Sequence, residues 1–475
     1  MSTGTSTGRL LGIGAALVAL VVALGLGAWL LTSGDDDPDR DDGPGGVKGD
    51  GGAAAAVLHE PGRTWELRAD EVVPNGRFVP LGPVGDDEVP DPSGVVVGDV
   101  LVAAVADDQA EEAGPLLVGI SGDGKVLWRG KGYTACWAPD DASLFCSRGS
   151  ALVRVDPTTG ASPGGIELAV AAGSAPVLDD GVLYVVVTPA GAAEDAYPPP
   201  FAVAALDAET LESVWPDGPA GTSELSGYGA GSPALDLTGP NVSVSAWQET
   251  RSGEADGSQF ELDRATGAVL GSTHLGKGAF PERPWTVDRG FGNDKVDVYR
   301  DGRLLLELKG QPWDTQDGRL TSPEGRIGMG ATLYDVTTGE AVWERSDLGD
   351  ELSGWRWTAD RAQVAVTGFD TEAGRMTTTY LDADTGETLW SGPGTDSAPT
   401  ETPDAFVQVE TDYESSWEVQ ALDRSTGKVA WSQDVTRIGQ ENDEDGTAIG
   451  GPYVGPGAVW ALGATTLVGF TDFPG

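Results

Sequence analysis

A short motif, Asp-x-x-Thr-Gly, returns along the chain and constrains its fold more than any other feature. Its aspartates are Asp156, Asp263, Asp335, Asp382 and Asp423. In three copies a tryptophan follows eight residues after the aspartate, at Trp343, Trp390 and Trp431. A motif that recurs every few tens of residues indicates one supersecondary unit copied many times. The repeat therefore predicts an architecture, although a repeated fold does not by itself predict an activity.

Degenerate copies extend the repeat over most of the chain. The copy at Asp207 has Leu211 in place of the glycine and keeps a tryptophan at Trp215. Taken at the glycine position, the copies fall at residues 124, 160, 211, 267, 302, 339, 386 and 427. Their mean spacing is about 43 residues, which is the size of a four-stranded propeller blade.

The motif has the chemistry of a tight β-hairpin. Its aspartate can accept hydrogen bonds from backbone N–H groups two residues on, and its glycine supplies the positive φ that closes a short turn. The glycines concerned are Gly160, Gly267, Gly339, Gly386 and Gly427. The tryptophan on the exiting strand suits a large flat side chain between adjacent blades. With β-branched runs between the motifs, the sequence predicts an all-β chain: a β-propeller of about eight, or seven, four-stranded blades.

Three copies resemble the repeat of the PQQ-like β-propeller family, whose blades carry the pattern apolar-Asp-x-x-Thr-Gly-x-x-x-Trp. Residues 381–390 (LDADTGETLW) and 422–431 (LDRSTGKVAW) match this pattern fully. Residues 334–343 (YDVTTGEAVW) differ only in a tyrosine at the apolar position. The resemblance covers roughly residues 90–470 and implies a propeller fold.

Departures from the family pattern predict that some blades are short or distorted. Gly164 and Gly271 stand where the pattern has tryptophan, and Leu211 stands where it has glycine. The last strands of the chain have no motif after them. By resemblance to closed propellers, Trp65–Val73 is expected to complete their blade and close the ring.

The N-terminus contains a candidate membrane helix. Residues 10–31 form an uncharged apolar run, and about 20 such residues span a bilayer as a helix. We expect residues 1–9 to be cytoplasmic, 10–32 to span the membrane, 33–56 to be an acidic Gly/Asp-rich linker, and 57–475 to form the propeller. A cleaved secretory signal is the alternative, but the apolar run is long for a signal and no small-residue cleavage site follows it.

Flanking charges orient this helix. Arg9 is the only charged residue before it, and an aspartate-rich run begins at Asp35 directly after it. The positive-inside rule then places the N-terminus in the cytoplasm and the propeller outside the cell membrane. An oxidising compartment would allow the only two cysteines, Cys136 and Cys146, to form a disulfide. Two buried free thiols are the alternative.

The chain is strongly acidic. It has 75 acidic and 29 basic residues and a formal net charge of -46. This charge repels phosphate backbones, so nucleic acid is excluded as a partner, and anionic lipid head groups are disfavoured as a docking surface. An acidic surface keeps an exposed domain soluble and steers cationic partners towards it.

Candidate catalytic groups are scarce. The resemblance implies quinoprotein dehydrogenases among the relatives, which hold a quinone in the ring centre with calcium, an aspartate base, stacked tryptophans and often a disulfide of adjacent cysteines. The two cysteines here are ten residues apart. The two histidines, His59 and His274, lie in no nucleophile elbow and in no zinc motif. Carboxylate pairs like those of glycoside hydrolases can arise anywhere in so acidic a chain. We assign no catalytic, cofactor-binding or metal-binding residue.

One loop resembles the start of a calcium-binding loop. Residues 441–446 (ENDEDG) place Asp443 and Asp445 at alternate positions and a glycine sixth. The twelfth position is Pro452, where an EF-hand has a glutamate ligand. A solvated acidic loop is therefore favoured over a calcium site.

These features favour a membrane-anchored, extracytoplasmic propeller that binds a protein or a ligand as a scaffold in the cell envelope. By resemblance, a non-enzymatic propeller of the same family is a scaffold in outer-membrane protein assembly. The alternative is an extracytoplasmic enzyme, either a quinoprotein-type oxidoreductase or a carbohydrate-active propeller. A sensory ectodomain is a third hypothesis, and the short N-terminus would then require a separate signalling partner in the membrane.

Overall fold

Antiparallel sheets of consecutive strands make up the computed structural model. The chain divides into two compact units, residues 1–50 and 51–475, and every described residue lies in the second. The structure describes residues 57–82, 92–107, 109, 114–171, 174–188, 201–216, 223–225, 234–237, 241–249, 255–274, 285–289, 295–300, 303–309, 325–348, 352–358, 360–370, 375–394, 399–411, 417–438 and 449–473.

Several sequence predictions fall outside these residues. They are the membrane helix at 10–32, the linker at 33–56, and the acidic loop that contains Asp443 and Asp445. Within the part of the chain that the structure describes, no helix has the length and apolarity needed to cross a bilayer.

Four sheets are formed by the first half of the propeller. Sheet 1 contains β2 (Gly76–Val79), β3 (Gly94–Val97), β4 (Val100–Asp107), β5 (Leu116–Ser121) and β6 (Val126–Lys131). Sheet 2 contains β7 (Tyr133–Trp137), β8 (Leu144–Arg148), β9 (Ala151–Val155) and β10 (Gly165–Glu167). Sheet 3 contains β11 (Val177–Asp179), β12 (Val182–Val187), β13 (Phe201–Asp207) and β14 (Ser223–Leu225). Sheet 4 contains β15 (Ala234–Asp236), β16 (Val242–Glu249), β17 (Ala255–Leu262) and β18 (Val269–His274).

Four more sheets follow along the chain. Sheet 5 contains β19 (Trp285–Arg289), β20 (Lys295–Arg300) and β21 (Arg303–Lys309). Sheet 6 contains β22 (Arg326–Met329), β23 (Thr332–Asp335) and β24 (Ala341–Glu344), followed by a 3₁₀ turn at Ser346–Leu348. Sheet 7 contains β25 (Leu352–Trp357), β26 (Gln363–Asp370), β27 (Arg375–Asp382) and β28 (Thr388–Pro393). Sheet 8 contains β29 (Thr400–Glu401), β30 (Ala405–Thr411), β31 (Trp417–Asp423) and β32 (Val429–Asp434).

The closing sheet joins the two ends of the propeller. It contains β33 (Gly450–Gly455), β34 (Ala458–Leu462), β35 (Thr466–Thr471) and, as its outer strand, β1 (Arg63–Arg68). Trp65 pairs with Gly469 in this ladder. The expected completion of the last blade by an N-terminal segment is therefore confirmed. The strand is shorter than Trp65–Val73, because Ala69–Val72 forms a helical turn, α1, with Asp70 and Glu71 in its first turn.

The all-β propeller of about eight blades predicted from the sequence is confirmed. In the described part of the chain, sheets 1 to 4, 7, 8 and the closing sheet have four or more strands, and sheets 5 and 6 have three. The outer strands of sheets 2 and 3, β10 and β14, are only three residues long. Sheet 2 has Gly164 in place of the motif tryptophan, and sheet 3 has Leu211 in place of the motif glycine.

Hydrophobic burial is spread over the seams between neighbouring sheets. One core cluster joins the closing sheet to sheet 1 through Trp460, Phe78 and Ile120, which are almost fully buried. A second joins sheet 8 to the closing sheet around Trp431 and Phe470. Six further clusters span other pairs of adjacent sheets among the described residues. Among the described residues, these clusters join every pair of consecutive sheets except sheets 4 and 5, as in other closed repeat architectures.

Candidate functional site

The repeated motif folds as the same hairpin turn in the six described copies that have the aspartate. In the copy at Asp382, Oδ1 accepts hydrogen bonds from the backbone N–H of Asp384 at 3.1 Å and of Thr385 at 2.8 Å. The hydroxyl of Thr385 donates to the same oxygen at 2.8 Å, and the N–H of Gly386 donates to the carbonyl of Asp382 at 2.9 Å. The aspartates at 156, 207, 263, 335 and 423 accept hydrogen bonds from the same two following N–H groups.

Glycine closes this turn because its backbone is left-handed. Gly386 has φ 69°, and Gly160, Gly267, Gly339 and Gly427 lie between 65° and 75°. The ladder shifts register beside the turns at Asp263, Asp335, Asp382 and Asp423, for example between Tyr380 and Leu381. This is the hairpin with a bulge that the sequence predicts.

The motif tryptophans cross the seams between sheets. Each indole N–H donates to a backbone carbonyl in the next sheet, and each donor–acceptor distance lies between 2.6 and 3.0 Å: Trp128 to Pro157, Trp215 to Arg264, Trp343 to Ala383, and Trp390 to Arg424. Trp431 donates in the same way to Val57, just ahead of the closing strand β1. The acceptor in the four motif seams is the residue directly after the motif aspartate. The tryptophan of one sheet is therefore hydrogen-bonded to the motif turn of the next sheet.

The seam between sheets 2 and 3 uses the reverse arrangement. Gly164 of sheet 2 occupies the tryptophan position, and Leu211 of sheet 3 occupies the glycine position. Leu211 is 4% exposed and packs with Phe145 and Leu152 of sheet 2. The large side chain thus comes from the turn instead of from the preceding sheet. Leu211 thus supplies a large buried side chain to the seam in which the tryptophan position of sheet 2 is a glycine.

Ion pairs reinforce the seam between sheets 7 and 8. The Arg424 guanidinium lies 2.6 Å from Asp360 of sheet 7 and 3.8 Å from Glu401 of its own sheet. It also lies over the ring of Phe406, at 5.2 Å from the centroid. Arg264 makes the corresponding pair with Asp179 between sheets 3 and 4. These cations already have partners and belong to the packing of the ring.

Tyr380 is the most strongly perturbed titratable group in this region. It is 2% exposed and stacks on Trp390, with ring centroids 4.0 Å apart. Burial raises the pKa of the Tyr380 hydroxyl far above its ordinary value, and this outweighs the opposing effect of Arg356. The phenol therefore stays protonated at neutral pH and cannot act as a general base.

Cys136 and Cys146 face each other across β7 and β8. They are register partners in this antiparallel pair, and the structure joins them in a disulfide. Both are buried, at 2% and 0% exposure. The bridge links neighbouring strands of sheet 2, unlike the disulfide of adjacent cysteines that the quinoprotein resemblance implies.

The described residues do not supply the donor set of a quinoprotein. No group of three histidine, cysteine, aspartate or glutamate side chains in the described part of the chain is arranged to hold a metal ion. His59 is exposed, just before β1, and His274 ends β18. The disulfide between neighbouring strands and the exposed His59 do not fit a calcium and quinone centre.

Sequence reasoning identified the residues that build the seams but missed their partners. The Asp, Gly and Trp positions are visible in the sequence because they recur. The carbonyl that each indole binds, and the packing of Leu211 against sheet 2, depend on which turn the next sheet brings close. The ion pairs of Arg424 and Arg264 were also missed. The only feature that these arginines share in the sequence is that each directly follows a motif aspartate.

Part of the chain matches a known family. Residues 330–455 match a family model of PQQ-like repeats described as outer membrane protein assembly factor BamB. No curated protein matches the chain.

Solved structures with a similar fold include a BamB protein and a quinohemoprotein alcohol dehydrogenase. BamB from Moraxella catarrhalis is 16% identical with a TM-score of 0.36, and the match covers 80% of this chain and 96% of that one. Quinohemoprotein alcohol dehydrogenase from Comamonas testosteroni is 12% identical with a TM-score of 0.44, and the match covers 88% and 77%. Similarity at these levels concerns the fold and says nothing about activity.

Proposed function

Because residues 330–455 match a model of the PQQ-like repeat family and the motif recurs over most of the chain, we propose that the protein is a non-enzymatic scaffold that binds a protein partner in the cell envelope. The proposal extends to its location: an N-terminal helix at residues 10–32 would anchor the propeller on the outer side of the cell membrane. Residues 33–56 would act as a spacer, since self-repelling aspartates extend a Gly-rich segment.

One observation carries the proposal. The residues that the chain repeats are all used to build the ring: the aspartates hold their own turns, and the tryptophans bind the turns of the next sheet. Because the repeated residues join neighbouring sheets, the propeller is a rigid body with a large outer surface. Such a body is suited to presenting a binding face to another protein.

Two further features agree with this role. The matched family model is described as an assembly factor, which is a protein that acts on other proteins by contact. The net charge of -46 would steer a cationic face of a partner towards the propeller at long range. Both features concern binding, and neither requires a cofactor.

The experiment is in-membrane crosslinking of the full chain, followed by mass spectrometry. A single envelope protein should crosslink reproducibly to the propeller. Deletion of residues 10–32, with a cleavable secretion signal in their place, should release the propeller from the membrane and reduce this crosslink. A chain that crosslinks to no protein in its own membrane would contradict the scaffold, and an unchanged membrane fraction after the deletion would contradict the anchor.

A further inference from the structure

The outer strand of sheet 1 has an unusual composition. Strand β6 hydrogen-bonds to β5, and its other edge pairs with no described strand. Its exposed side chains are Leu127, Arg129 and Lys131, whereas Trp128 between them is buried in the seam with sheet 2. Arg148 of sheet 2 is also exposed and lies near the end of β6, because it pairs with Tyr133 directly after the turn. We call Leu127, Arg129, Lys131 and Arg148 the basic strip.

Equivalent positions in the other outer strands are not basic in this way. The positions one and three residues after the seam tryptophan are occupied by Arg129 and Lys131 in β6, by Ser391 and Pro393 in β28, by Ser432 and Asp434 in β32, and by Glu66 and Arg68 in β1. Of these other residues only Arg68 is a cation, and it pairs with Asp70 at 3.3 Å. Among sheet 1, sheet 7, sheet 8 and the closing sheet, only sheet 1 therefore has cations at both of these positions of its outer strand.

The cations of the basic strip make no ion pair with the part of the chain that the structure describes. Arg148 lies over the ring of Tyr133, at 5.7 Å from the centroid, and this ring contact supplies no carboxylate to its charge. In a chain with 75 acidic and 29 basic residues, most exposed cations would be expected to find a carboxylate nearby. Charged side chains on an edge strand, lysine especially, discourage unwanted strand pairing. This protection acts against a second copy of the same positively charged edge and does not act against an acidic segment, which the cations attract.

The surrounding charge limits what such a strip can bind. A membrane surface or a nucleic acid would bring many negative charges close to a propeller with a net charge of -46. Charges beyond a Debye length of about 8 Å are largely screened at physiological ionic strength. A short acidic segment therefore meets mainly the local cations, whereas an extended anionic surface also meets the repelling ones.

We propose that β6 is a docking edge for a short, extended, acidic segment of a partner protein. The segment adds to sheet 1 as a further antiparallel or parallel strand, with its backbone paired to the open edge of β6. Its alternate acidic side chains face Arg129 and Lys131, and an apolar side chain covers Leu127, which is 40% exposed. Arg148 adds a third positive charge at the end of the strip. This inference rests on the proposed scaffold function and names where and what that scaffold binds.

The test uses the full chain in a non-ionic detergent and a synthetic probe. The probe is an eight-residue peptide that alternates glutamate with valine, capped at both ends and labelled for fluorescence anisotropy. Lys131→Glu is compared with Lys428→Glu, a matched control in which an exposed lysine on the turn before β32 undergoes the same charge change. Loss of an attractive pair and its replacement by repulsion should weaken binding by Lys131→Glu about tenfold. Binding by Lys428→Glu should change less than about twofold, since its charge is remote from the strip.

A second peptide set separates strand pairing from charge attraction. Replacing the glutamates with glutamine should weaken binding, and N-methylation of alternate backbone amides should abolish it, because strand addition needs those amides. Hydrogen–deuterium exchange of residues 126–131 should slow on addition of the glutamate peptide. Equal binding of the N-methylated peptide, or unchanged exchange, would overturn the strand-addition proposal.

The docking edge can be wrong even if the propeller is a scaffold. No binding of the glutamate peptide by the wild-type chain, or equal losses in the two lysine variants, would overturn the docking edge even if a partner protein still crosslinks in the membrane. Binding to vesicles that contain phosphatidylglycerol, without binding to the peptide, would overturn it in favour of a lipid surface. None of these outcomes bears on whether the propeller has a partner protein, which the crosslinking experiment tests.

Discussion

The indole of Trp343 lies against Gly386 of the next sheet so closely that an added β-carbon would stand 2.7 Å from ring atom Cδ2. Gly339, one repeat earlier, has a similar φ of 75° but faces Leu306, and its added β-carbon would meet that side chain only at 3.8 Å. The two glycines share a turn geometry and differ in what packs on them. They can therefore separate the two reasons for a glycine in the motif.

Gly386→Ala is predicted to destabilise the propeller more than Gly339→Ala. Both substitutions cost about 1–2 kcal/mol, because alanine disfavours a left-handed backbone. Gly386→Ala carries an additional cost of about 1–3 kcal/mol, since the methyl group overlaps the tryptophan ring. Thermal unfolding of the two variants measures the difference. Equal losses would show that the indole does not constrain this turn.

Leu211→Gly is predicted to destabilise the chain although it restores the motif residue. Leu211 holds a left-handed backbone at φ 60°, so glycine relieves about 1 kcal/mol of strain. Removal of a buried leucine side chain costs about 2–5 kcal/mol, which is larger. Unfolding by denaturant gives the net change. A more stable Leu211→Gly variant would contradict the reversed seam.

The partner substitution provides the matching control. An added β-carbon at Gly164 meets no atom within 4 Å, so there is room for a larger side chain at that position. Gly164→Trp combined with Leu211→Gly would restore the usual tryptophan and glycine pair. The double variant is predicted to be more stable than Leu211→Gly alone, with a favourable coupling energy. Additive effects would mean that the two positions do not share a seam.

Structural features of the propeller can be predicted from the sequence when the residues that form them are close together in the chain. The turn at Asp382 is local, because its donors lie within four residues of the carboxylate, and the motif therefore predicts it. The Gly164 and Leu211 exchange is not local, because each residue alone looks like a defect. The same limit applies to the basic strip: Arg129 and Lys131 are visible in the sequence, but their free edge follows only from strand order. Helix α1 was missed because four residues are too few to show a helical period.

Acid is predicted to destabilise the motif turns. Hydrogen bonds from the backbone N–H and the hydroxyl of Thr210 hold the pKa of the Asp207 carboxyl below its usual value. The backbone N–H of Thr159 has the same effect on the pKa of Asp156. A carboxyl with a lowered folded pKa stabilises the fold above its unfolded pKa, about 3.9, and this contribution is lost as pH falls through the folded value.

The matching measurement is the acid unfolding profile between about pH 5 and pH 2. It should be recorded in high salt, because protonation also relieves the repulsion of a chain with net charge -46 and would otherwise mask the effect. Asp207→Asn keeps an acceptor oxygen and should flatten the profile in this range. The same steepness in the wild type and in Asp207→Asn would argue against a role for this carboxylate.

The cysteines are predicted to be oxidised in the native protein. Mass spectrometry of the unreduced chain should find one Cys136–Cys146 bridge, and alkylation without a reductant should label neither residue. Reduction followed by alkylation should lower the thermal stability, because a cross-link between strands restricts the unfolded chain. Two alkylated cysteines in the unreduced native protein would contradict the bridge and the oxidising location proposed for the propeller.

Native mass spectrometry, with an absorption spectrum of the same sample, tests the central claim most directly. The full chain is extracted from its own membrane in a mild detergent without overexpression. We predict a complex of defined stoichiometry with another envelope protein and no chromophore beyond the protein's own aromatic residues. An isolated chain that carries a quinone, absorbs in the near ultraviolet and oxidises substrate with an added dye would contradict the scaffold and establish an enzyme instead.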